Sequence, residues 1–286
     1  MFLKAGVGAA VAASVALAID ATFIEPQHPL LKRIDVWLPR LPQELNGFTI
    51  AQLSDFHYDR YFSATPIAAA VNIANGLNAD LVALTGDYVT VPLLADEHQR
   101  SPKAARHAKS CAHLLGGLRA RFGSLAVLGN HDEFSDPDEV TGALQYAGIR
   151  VLRNQSVLVE RGGARLWVAG LNDVMGGGAN VGEALRGVPS GDTTVLLCHE
   201  PDYADQVAAY AVDLQLSGHS HGGQVRFPGV GALYLPRLGR KYPWGLRRLG
   251  QMMLYTNCGI GTIRVPVRWH CPPEVTLLTL RSGTEG

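Results

Sequence analysis

Short apolar runs recur along the chain, and five of them end on side chains that can bind metal ions. Residues 125–128 (Leu-Ala-Val-Leu) lead directly into Gly129-Asn130-His131-Asp132. The other four endings are Asp55-Phe56-His57 after 48–54, Gly86-Asp87 after 81–85, His199-Glu200 after 195–198, and Gly218-His219-Ser220-His221 after 213–217. Apolar runs of this length predict buried strands, and open α/β sheets bind their ligands at the carboxyl ends of strands. We therefore expect the five endings to converge on one site.

The same periodicity predicts the order of the other elements. Alternation over 32–38 predicts an edge strand, and helical spacing predicts helices over 65–78 (beginning at Thr65-Pro66), 104–118 and 136–147. Further strands are expected near 149–152, 156–160, 165–170 and 193–198, short helices near 181–186 and 201–209, and mostly strands from residue 212 onward. Alternating strands and helices followed by a strand-rich tail predict an α/β fold, with two packed sheets and helices outside them.

The first twenty residues differ from the rest of the chain. Lys4 is followed by fifteen residues without a charge, up to Asp20, and a membrane span needs roughly 17–25 apolar residues. Three interpretations stay open here: a membrane anchor, a cleaved signal peptide and an Ala-rich helix that frays. We expect membrane association through residues 1–20, with export after signal cleavage as the alternative. Residues 21–47 are expected to form a connector with an edge strand, and 48–286 the main domain.

Composition limits the classes of partner and the redox chemistry. The chain has 286 residues with 25 basic and 25 acidic side chains, so it lacks the overall basic character of nucleic-acid-binding proteins. Its four cysteines show no CxxC pair, and Cys198, inside a predicted strand, is expected to be a free buried thiol. One local exception is 226–248, where six Arg and Lys side chains alternate with aromatic residues. This stretch is either a solvated basic face or a rim that faces an anionic substrate or acidic lipid headgroups. Single-stranded nucleic acid is the third choice, because it would suit arginines beside aromatic rings but not the neutral overall charge.

Seven of the strand-end side chains provide the number of donors that two divalent cations need: Asp55, His57, Asp87, Asn130, His199, His219 and His221. A single strand-end Asp or His usually caps or hydrogen-bonds, but five such endings in one chain indicate a site. Two cations about 3.5–4 Å apart can activate a nucleophile and neutralise a transferring phosphoryl group. Residues i and i+2 of an extended segment point to the same side, which predicts that each Asp-x-His or His-x-His pair converges. A mixed set of His, Asp and Asn favours Mn, Fe or Zn over Mg or Ca.

Over residues 48–280 these motifs together resemble the calcineurin-like metallophosphoesterases. The resemblance implies a four-layer α/β/β/α sandwich of two mixed sheets, with a binuclear site at the sheet edges and 48–286 as the catalytic domain. It also implies two ligand sets and a bridge: Asp55, His57 and His221 for the first ion, Asn130, His199 and His219 for the second, and Asp87 between them. By the same resemblance, His131 lies over the phosphate to stabilise charge or protonate the leaving oxygen, and Asp132 helps to orient His131.

Three further segments resemble a bacterial, membrane-linked phosphodiesterase branch of that family. They are 198–202 (Cys-His-Glu-Pro-Asp), 217–224 (Ser-Gly-His-Ser-His-Gly-Gly-Gln) and 271–274 (Cys-Pro-Pro-Glu). We therefore expect a metal-dependent phosphodiesterase that uses a metal-bridged hydroxide as nucleophile. Two alternatives stay open: a pyrophosphatase acting on a lipid-linked nucleotide diphosphate, and a non-catalytic membrane-tethered binding module on the same fold. The loop 88–103 follows a strand end and is expected to overhang the site.

Overall fold

The computed structural model describes residues 12–91 and 102–284. Its strands, in chain order, are β1 (Leu30–Leu38), β2 (Thr49–Leu53), β3 (Leu81–Leu84), β4 (Ser124–Ala126), β5 (Arg150–Val151), β6 (Gln155–Arg161), β7 (Ala164–Gly170), β8 (Thr193–Leu197), β9 (Leu214–Ser217), β10 (Arg226–Phe227), β11 (Gly231–Ala232), β12 (Gly245–Leu249), β13 (Met252–Thr256) and β14 (Glu274–Ser282). The predicted strand runs therefore appear close to their expected places.

The strands form two six-stranded sheets and a two-stranded ribbon of β10 and β11. The first sheet has the order β1-β14-β2-β3-β4-β5, in which β2 to β5 are parallel and β14 is antiparallel to β2. The second has the order β12-β13-β9-β8-β7-β6, with parallel inner strands and antiparallel edges. Both sheets are mixed, as predicted.

One helix precedes the first strand, and the others lie in the connections between strands. They are α1 (12–19), α2 (Ala64–Gly76), α3 (Pro102–Ala105), α4 (Ala108–Leu115), α5 (Asn130–Glu133), α6 (Pro137–Tyr146), α7 (Val181–Ala184) and α8 (Ala204–Val207). The helix predicted over 104–118 is thus two helices separated by a turn. The predicted start at Thr65-Pro66 is also wrong, because Ser63 precedes α2; its hydroxyl accepts a hydrogen bond from Asp59 N–H at 2.6 Å.

Side chains along the buried strands point alternately into the core between the sheets and towards the helices outside, which gives four layers. In β2, Ile50 points into the core between the two sheets, whereas Ala51 and Leu53 pack against the helices on the outer face. In β8, Val195 points into the same central core, and Leu196 packs on the other outer face. Successive strand side chains point to opposite faces, so β2 and β8 each supply apolar side chains to the central core and to an outer layer. The predicted α/β/β/α sandwich is confirmed. The prediction for Cys198 is confirmed as well, because all four cysteines are free and buried.

The segment 21–47 belongs structurally to this sandwich. Strand β1 is the edge strand of the first sheet and pairs in parallel with β14 from Leu30 to Leu38. Val36, Leu38 and Leu45 are fully buried in the central core. Residues 1–11 of the predicted anchor lie outside the described part of the chain. Within 12–91 and 102–284, no helix combines the length and the apolarity needed to cross a bilayer.

Candidate metal centre

The carboxyl ends of strands from both sheets meet at one edge of the sandwich. Asp55 follows β2, Asp87 follows β3, Asn130 begins α5 after β4, His199 follows β8, and His219 follows β9. Except for Asn130, which is 9% exposed, these side chains are at most 5% exposed. The structure thus brings the five predicted strand endings together, as parallel strand topology requires.

The backbone at these endings is left-handed, which corrects the expectation of extended pairs. Positive φ angles occur at five of the predicted ligands: Asp55 (52°), His57 (41°), Asp87 (59°), His219 (67°) and His221 (52°). Such angles are uncommon for residues other than glycine, and they cluster at functional sites where the surroundings hold them. Here the neighbouring loops hold each other, since Asp55 N–H donates to Gly86 O at 2.9 Å and His57 N–H to Asp87 O at 3.0 Å.

One group of donor atoms comprises Asp55, His57 and His221. Their ligand atoms lie within 4.8 Å of one another. His57 Nε2 is 3.0 Å from His221 Nε2, and His221 Nε2 is 3.4 Å from Asp55 Oδ1. His221 Nδ1 is buried and has no hydrogen-bond partner in the described part of the chain. Buried nitrogen and carboxylate atoms that converge in this way fit a divalent cation.

A second group comprises Asp87, His199 and His219, whose ligand atoms also lie within 4.8 Å of one another. His199 Nε2 is 3.2 Å from Asp87 Oδ2, and Asn130 Oδ1 lies 3.0 Å from His219 Nδ1. The same Asp87 Oδ2 is 3.4 Å from His57 Nε2 in the first group. One carboxylate oxygen therefore lies beside a histidine of each group.

Three of the histidine rings also contact an oxygen atom on the side that faces away from the centre of the site. His199 Nδ1 donates to Thr85 O at 2.6 Å, and His219 Nε2 donates to Arg237 O at 2.7 Å, since a carbonyl oxygen can only accept. The nitrogens opposite, Nε2 of His199 and Nδ1 of His219, therefore face the centre of the site. His57 Nδ1 is likewise 3.1 Å from Thr90 Oγ1. Such partners fix the ring orientation of metal-binding histidines.

Burial and neighbouring charges together set the pKa values of the centre. Burial raises the pKa of Asp55 to about 6 and lowers the pKa of His57 to about 3. Burial alone would lower the pKa of His199, but the charges of Asp87, Asp55 and Glu200 and the hydrogen bond to Asp87 together raise that pKa well above its usual value. Burial alone would raise the pKa of Asp87, but the neighbouring histidines His199, His131 and His57 together hold it well below its usual value. Bound cations would replace the protons that compensate these buried charges. The donor set therefore fits two divalent ions.

His131 lies next to this cluster, and its ring orientation comes from the loop after β3. Val91 N–H donates to His131 Nδ1 at 3.0 Å, so the proton of the neutral ring is on Nε2. The Asp132 carboxylate accepts N–H bonds from Asp87, Tyr88 and Val89 at 2.8–3.2 Å, and also from Gly129. Asp132 therefore holds the start of the loop that carries Val91, and Val91 in turn contacts His131.

A cavity of about 400 Å³ opens beside the donor groups. Asp87, Asn130, His131, His219 and His221 form its polar end. The remaining wall is largely apolar and includes Val91, Phe134, Met175, Leu233, Ile263 and Val265. The cavity therefore offers a metal-binding end and an apolar end, which is typical of sites for organic ligands.

Two arginines, Arg237 and Arg264, also line this cavity. Arg237 and Tyr234 come from the predicted basic stretch 226–248, whereas Arg226 of that stretch packs over Trp244 at 4.0 Å. Arg264, which lies 4.7 Å above the Tyr234 ring, was missed because no local motif marks its loop. A residue of this kind can be recognised only once the distant segments 234 and 264 are seen together.

The loop 88–103, which is predicted to overhang the site, contributes two described residues to the cavity wall. Thr90 and Val91 line the cavity, and residues 92–101 lie outside the described part of the chain. Tyr88 instead stacks on Phe56 in the core, with ring centroids 5.4 Å apart. The described start of the loop therefore belongs to the wall of the site.

Comparisons with known proteins agree with this geometry. Residues 48–223 match the family model described as calcineurin-like phosphoesterase. The metallophosphoesterase YkuE of Bacillus subtilis is 33% identical over 264 residues, covering 92% of this chain and 89% of that protein. Phosphodiesterase YaeI of Escherichia coli is 30% identical over 239 residues, covering 82% of each chain.

A solved structure shows the same fold at low sequence identity. The 5'-nucleotidase precursor of Thermus thermophilus superposes with a TM-score of 0.50 at 15% identity, covering 81% of this chain and 54% of that one. At this identity the likeness concerns the arrangement of the two sheets and their helices.

Proposed function

The chain belongs to the calcineurin-like phosphoesterase family of metal-dependent phosphoester hydrolases, and we propose that it hydrolyses phosphodiesters at a centre of two divalent cations. The observation that carries this proposal is the position of Asp87. Its Oδ2 atom lies 3.4 Å from His57 Nε2 and 3.2 Å from His199 Nε2, between the two donor groups. A carboxylate shared in this way suits a pair of ions. The similarity to a relative named phosphodiesterase supports a diester as substrate.

Within this proposal, each ion has its own donors and Asp87 serves both. The first set is Asp55, His57 and His221, and the second is Asn130, His199 and His219. Two bound cations would polarise the phosphoryl oxygens and lower the pKa of an attacking water molecule. Five of the seven donors are nitrogen or amide oxygen, which suits Mn, Fe or Zn. The two carboxylates leave the loaded centre with net positive charge, which favours an anionic ester.

The side chain of His131 has a separate role in the proposal. Its Nδ1 accepts from Val91 N–H, so Nε2 carries the proton of the neutral ring, and the ring lines the cavity. A donor at that place can stabilise charge on a phosphoryl oxygen or protonate the leaving oxygen. Asp132 acts as a positioning residue, because it holds the backbone of 87–89, which leads to Val91.

The test uses the full chain, purified without chelator. Metal content per chain is measured, and hydrolysis of bis-p-nitrophenyl phosphate is compared with that of p-nitrophenyl phosphate in the presence of Mn. Two ions per chain and a higher kcat/KM for the diester are expected. A single ion per chain would contradict the bridging role of Asp87, and preference for the monoester would contradict the phosphodiesterase assignment.

A second candidate is a pyrophosphatase acting on a lipid-linked nucleotide diphosphate. The apolar wall of the cavity favours it, because Phe134, Met175 and Ile263 offer contacts to a lipid chain, while Arg237 and Arg264 suit a second phosphate. Hydrolysis of a lipid-linked nucleotide diphosphate in detergent is compared with that of the same compound without the lipid. Equal kcat/KM for the two would remove this candidate.

Membrane association through residues 1–20 is also part of the proposal, and it rests on the uncharged run 5–19 within them. A non-catalytic module on the same fold would be expected to lack some of the donors. All seven are present here, and together with the family membership this favours an enzyme.

A further inference from the structure

Two of the four buried cysteines lie against each other. Cys258 follows β13 and Cys271 precedes β14, and their side chains are hydrogen-bonded to each other. Their chain segments lie side by side, because Glu274 N–H donates to Gly259 O at 3.0 Å. Both sulfurs are free, and we call these two residues the thiol pair. A contact between two thiols from separate segments is the geometry from which a disulfide can form.

A buried arginine bridges the backbones of the thiol pair. Arg268 is fully buried, and its guanidinium group donates to Cys258 O at 3.0 Å and to Cys271 O at 2.9 Å. It also donates to Gly261 O, and its Nη1 lies 4.0 Å from Cys271 Sγ. In the described part of the chain these partners are carbonyl oxygens and a sulfur, and none is a carboxylate. Because a buried cation is costly without a countercharge, the thiolate form of Cys271 would be stabilised here.

A second arginine contacts the other sulfur of the thiol pair. Arg226 Nη2 donates to Cys258 Sγ at 3.0 Å, and its Nε donates to Gly222 O at 2.7 Å. The side chain of Arg226 is partly exposed, so Cys258 lies one side chain away from solvent on this side. The carboxylate of Glu274 forms an ion pair with Lys32. Each sulfur therefore has a guanidinium group beside it, which favours the reactive thiolate form.

The thiol pair also lies directly behind the first donor group of the metal centre. As a thiol, Cys271 donates to His221 O at 3.2 Å. Cys258 precedes Gly259, where a β-carbon would lie 2.7 Å from Asp55 Cβ. Asp55 and His221 are thus each in contact with a segment that carries one of the two sulfurs. Any movement of the thiol pair is passed to these donors through packed backbone.

We propose that the thiol pair is a redox-sensitive site, at which hydrogen peroxide forms a reversible disulfide between Cys258 and Cys271. One thiolate attacks a peroxide oxygen, and the O–O bond breaks to give a sulfenic acid and hydroxide. The other thiol then attacks the sulfenic sulfur, and the sulfenic oxygen leaves as water. The proton that the first thiol gave up neutralises the hydroxide. The two sulfurs thus lose two electrons, and peroxide becomes two molecules of water.

The disulfide weakens binding of the first ion, and this consequence rests on the proposed function. Bond formation brings the two sulfurs to about 2.05 Å from each other. A disulfide sulfur cannot donate a hydrogen bond, so the bond from Cys271 to His221 O is lost. Loss of a contact that supports a metal ligand lowers metal affinity by about 10- to 100-fold. Dithiothreitol reverses the effect by thiol–disulfide exchange.

The test compares the full chain with Cys258→Ser, before and after exposure to hydrogen peroxide. Each sample is alkylated under denaturing conditions and digested, and mass spectrometry identifies the state of every cysteine. The oxidised wild type should yield two peptides joined through Cys258 and Cys271, while Cys111 and Cys198 are still alkylated. Dithiothreitol should restore alkylation of all four. Recovery of Cys258 and Cys271 as separate peptides after peroxide treatment would overturn the proposal.

Metal content and kcat/KM for a soluble diester are measured on the same samples. Peroxide should lower both at least tenfold in the wild type, reversibly, and leave them unchanged in Cys258→Ser, because one thiol alone cannot form the bond. Cys111→Ser is the matched control and should respond like the wild type. Circular dichroism verifies folding, and Cys258→Ala serves as a second variant.

Two outcomes would overturn the link between the thiol pair and His221. One is a joined wild type with unchanged metal content, and the other is an equal loss of metal in Cys258→Ser, which would trace the effect to the metal centre itself. A reduced wild type that binds no metal would contradict the proposed function instead. The joined peptides decide the disulfide in either case, since their detection requires neither metal nor activity.

Discussion

Gly129 packs so closely against Asp87 that a β-carbon at residue 129 would lie 2.8 Å from both the carboxyl carbon and the backbone nitrogen of Asp87. This approach lets the loop after β4 close over the carboxylate. His131 N–H then donates to Asp87 Oδ1 at 2.9 Å, which leaves Oδ2 directed at His57 and His199. The orientation of the shared carboxylate therefore depends on the absence of a side chain at residue 129.

Gly129→Ala is expected to displace the Asp87 carboxylate and to lower both metal content and activity, by about 10- to 100-fold, as for other changes around metal ligands. Gly142→Ala is the matched control, because a β-carbon there meets no atom within 4 Å and the residue lies in α6. The control should keep full activity and gain about 0.5–1 kcal/mol of stability. Metal analysis and initial rates measure both. Wild-type activity in Gly129→Ala would show that the carboxylate orientation is not critical.

His131→Ala is expected to reduce kcat by about 10²–10⁴-fold, because a positioned proton donor contributes on that scale. The metal content should remain that of the wild type, since His131 lies outside both proposed ligand sets. Rates and metal content are measured together, with His113→Ala, an exposed histidine of α4, as the control. Loss of metal from His131→Ala would instead make this side chain a ligand.

Removal of metal by a chelator is expected to lower the thermal midpoint by about 5–10 °C, because ligand at a hundred times its Kd stabilises the folded state by about 2.7 kcal/mol. Asp87→Asn should be inactive, and chelator should leave its thermal midpoint unchanged, since the shared carboxylate serves both ions. Asp138→Asn changes an exposed carboxylate and should respond like the wild type. Differential scanning calorimetry measures the midpoints. A normal chelator response in Asp87→Asn would contradict the bridging role.

Deletion of residues 1–20 is expected to give a folded domain that hydrolyses soluble diesters at the rate of the full chain. The deletion keeps Ala21 and Glu25, whose hydrogen bonds to 268–271 fix the N-terminal segment. Gel filtration and kcat/KM for a soluble diester measure the outcome. A truncated protein that fails to fold would place residues 1–20 in the core.

The strand endings could be predicted because their signal is local. An apolar run such as 81–84 and the Gly86-Asp87 that follows it are neighbours in sequence, and the parallel arrangement of such strands brings their carboxyl ends together. The backbone at Asp55 or His219 could not be predicted in the same way. A left-handed residue other than glycine has no sequence signature, and it is held here by hydrogen bonds from other loops.

By itself, the sequence determined the type of fold, the seven donor residues that converge and the position of His131 beside them, because hydrophobic periodicity and short motifs are properties of adjacent residues. The tertiary structure alone decided how these residues are held. The bond between His219 and the Arg237 carbonyl, the indirect action of Asp132 on His131 and the pairing of Arg264 with Tyr234 join segments that are far apart or in different loops. Such contacts arise from packing of the whole chain, so no local pattern encodes them.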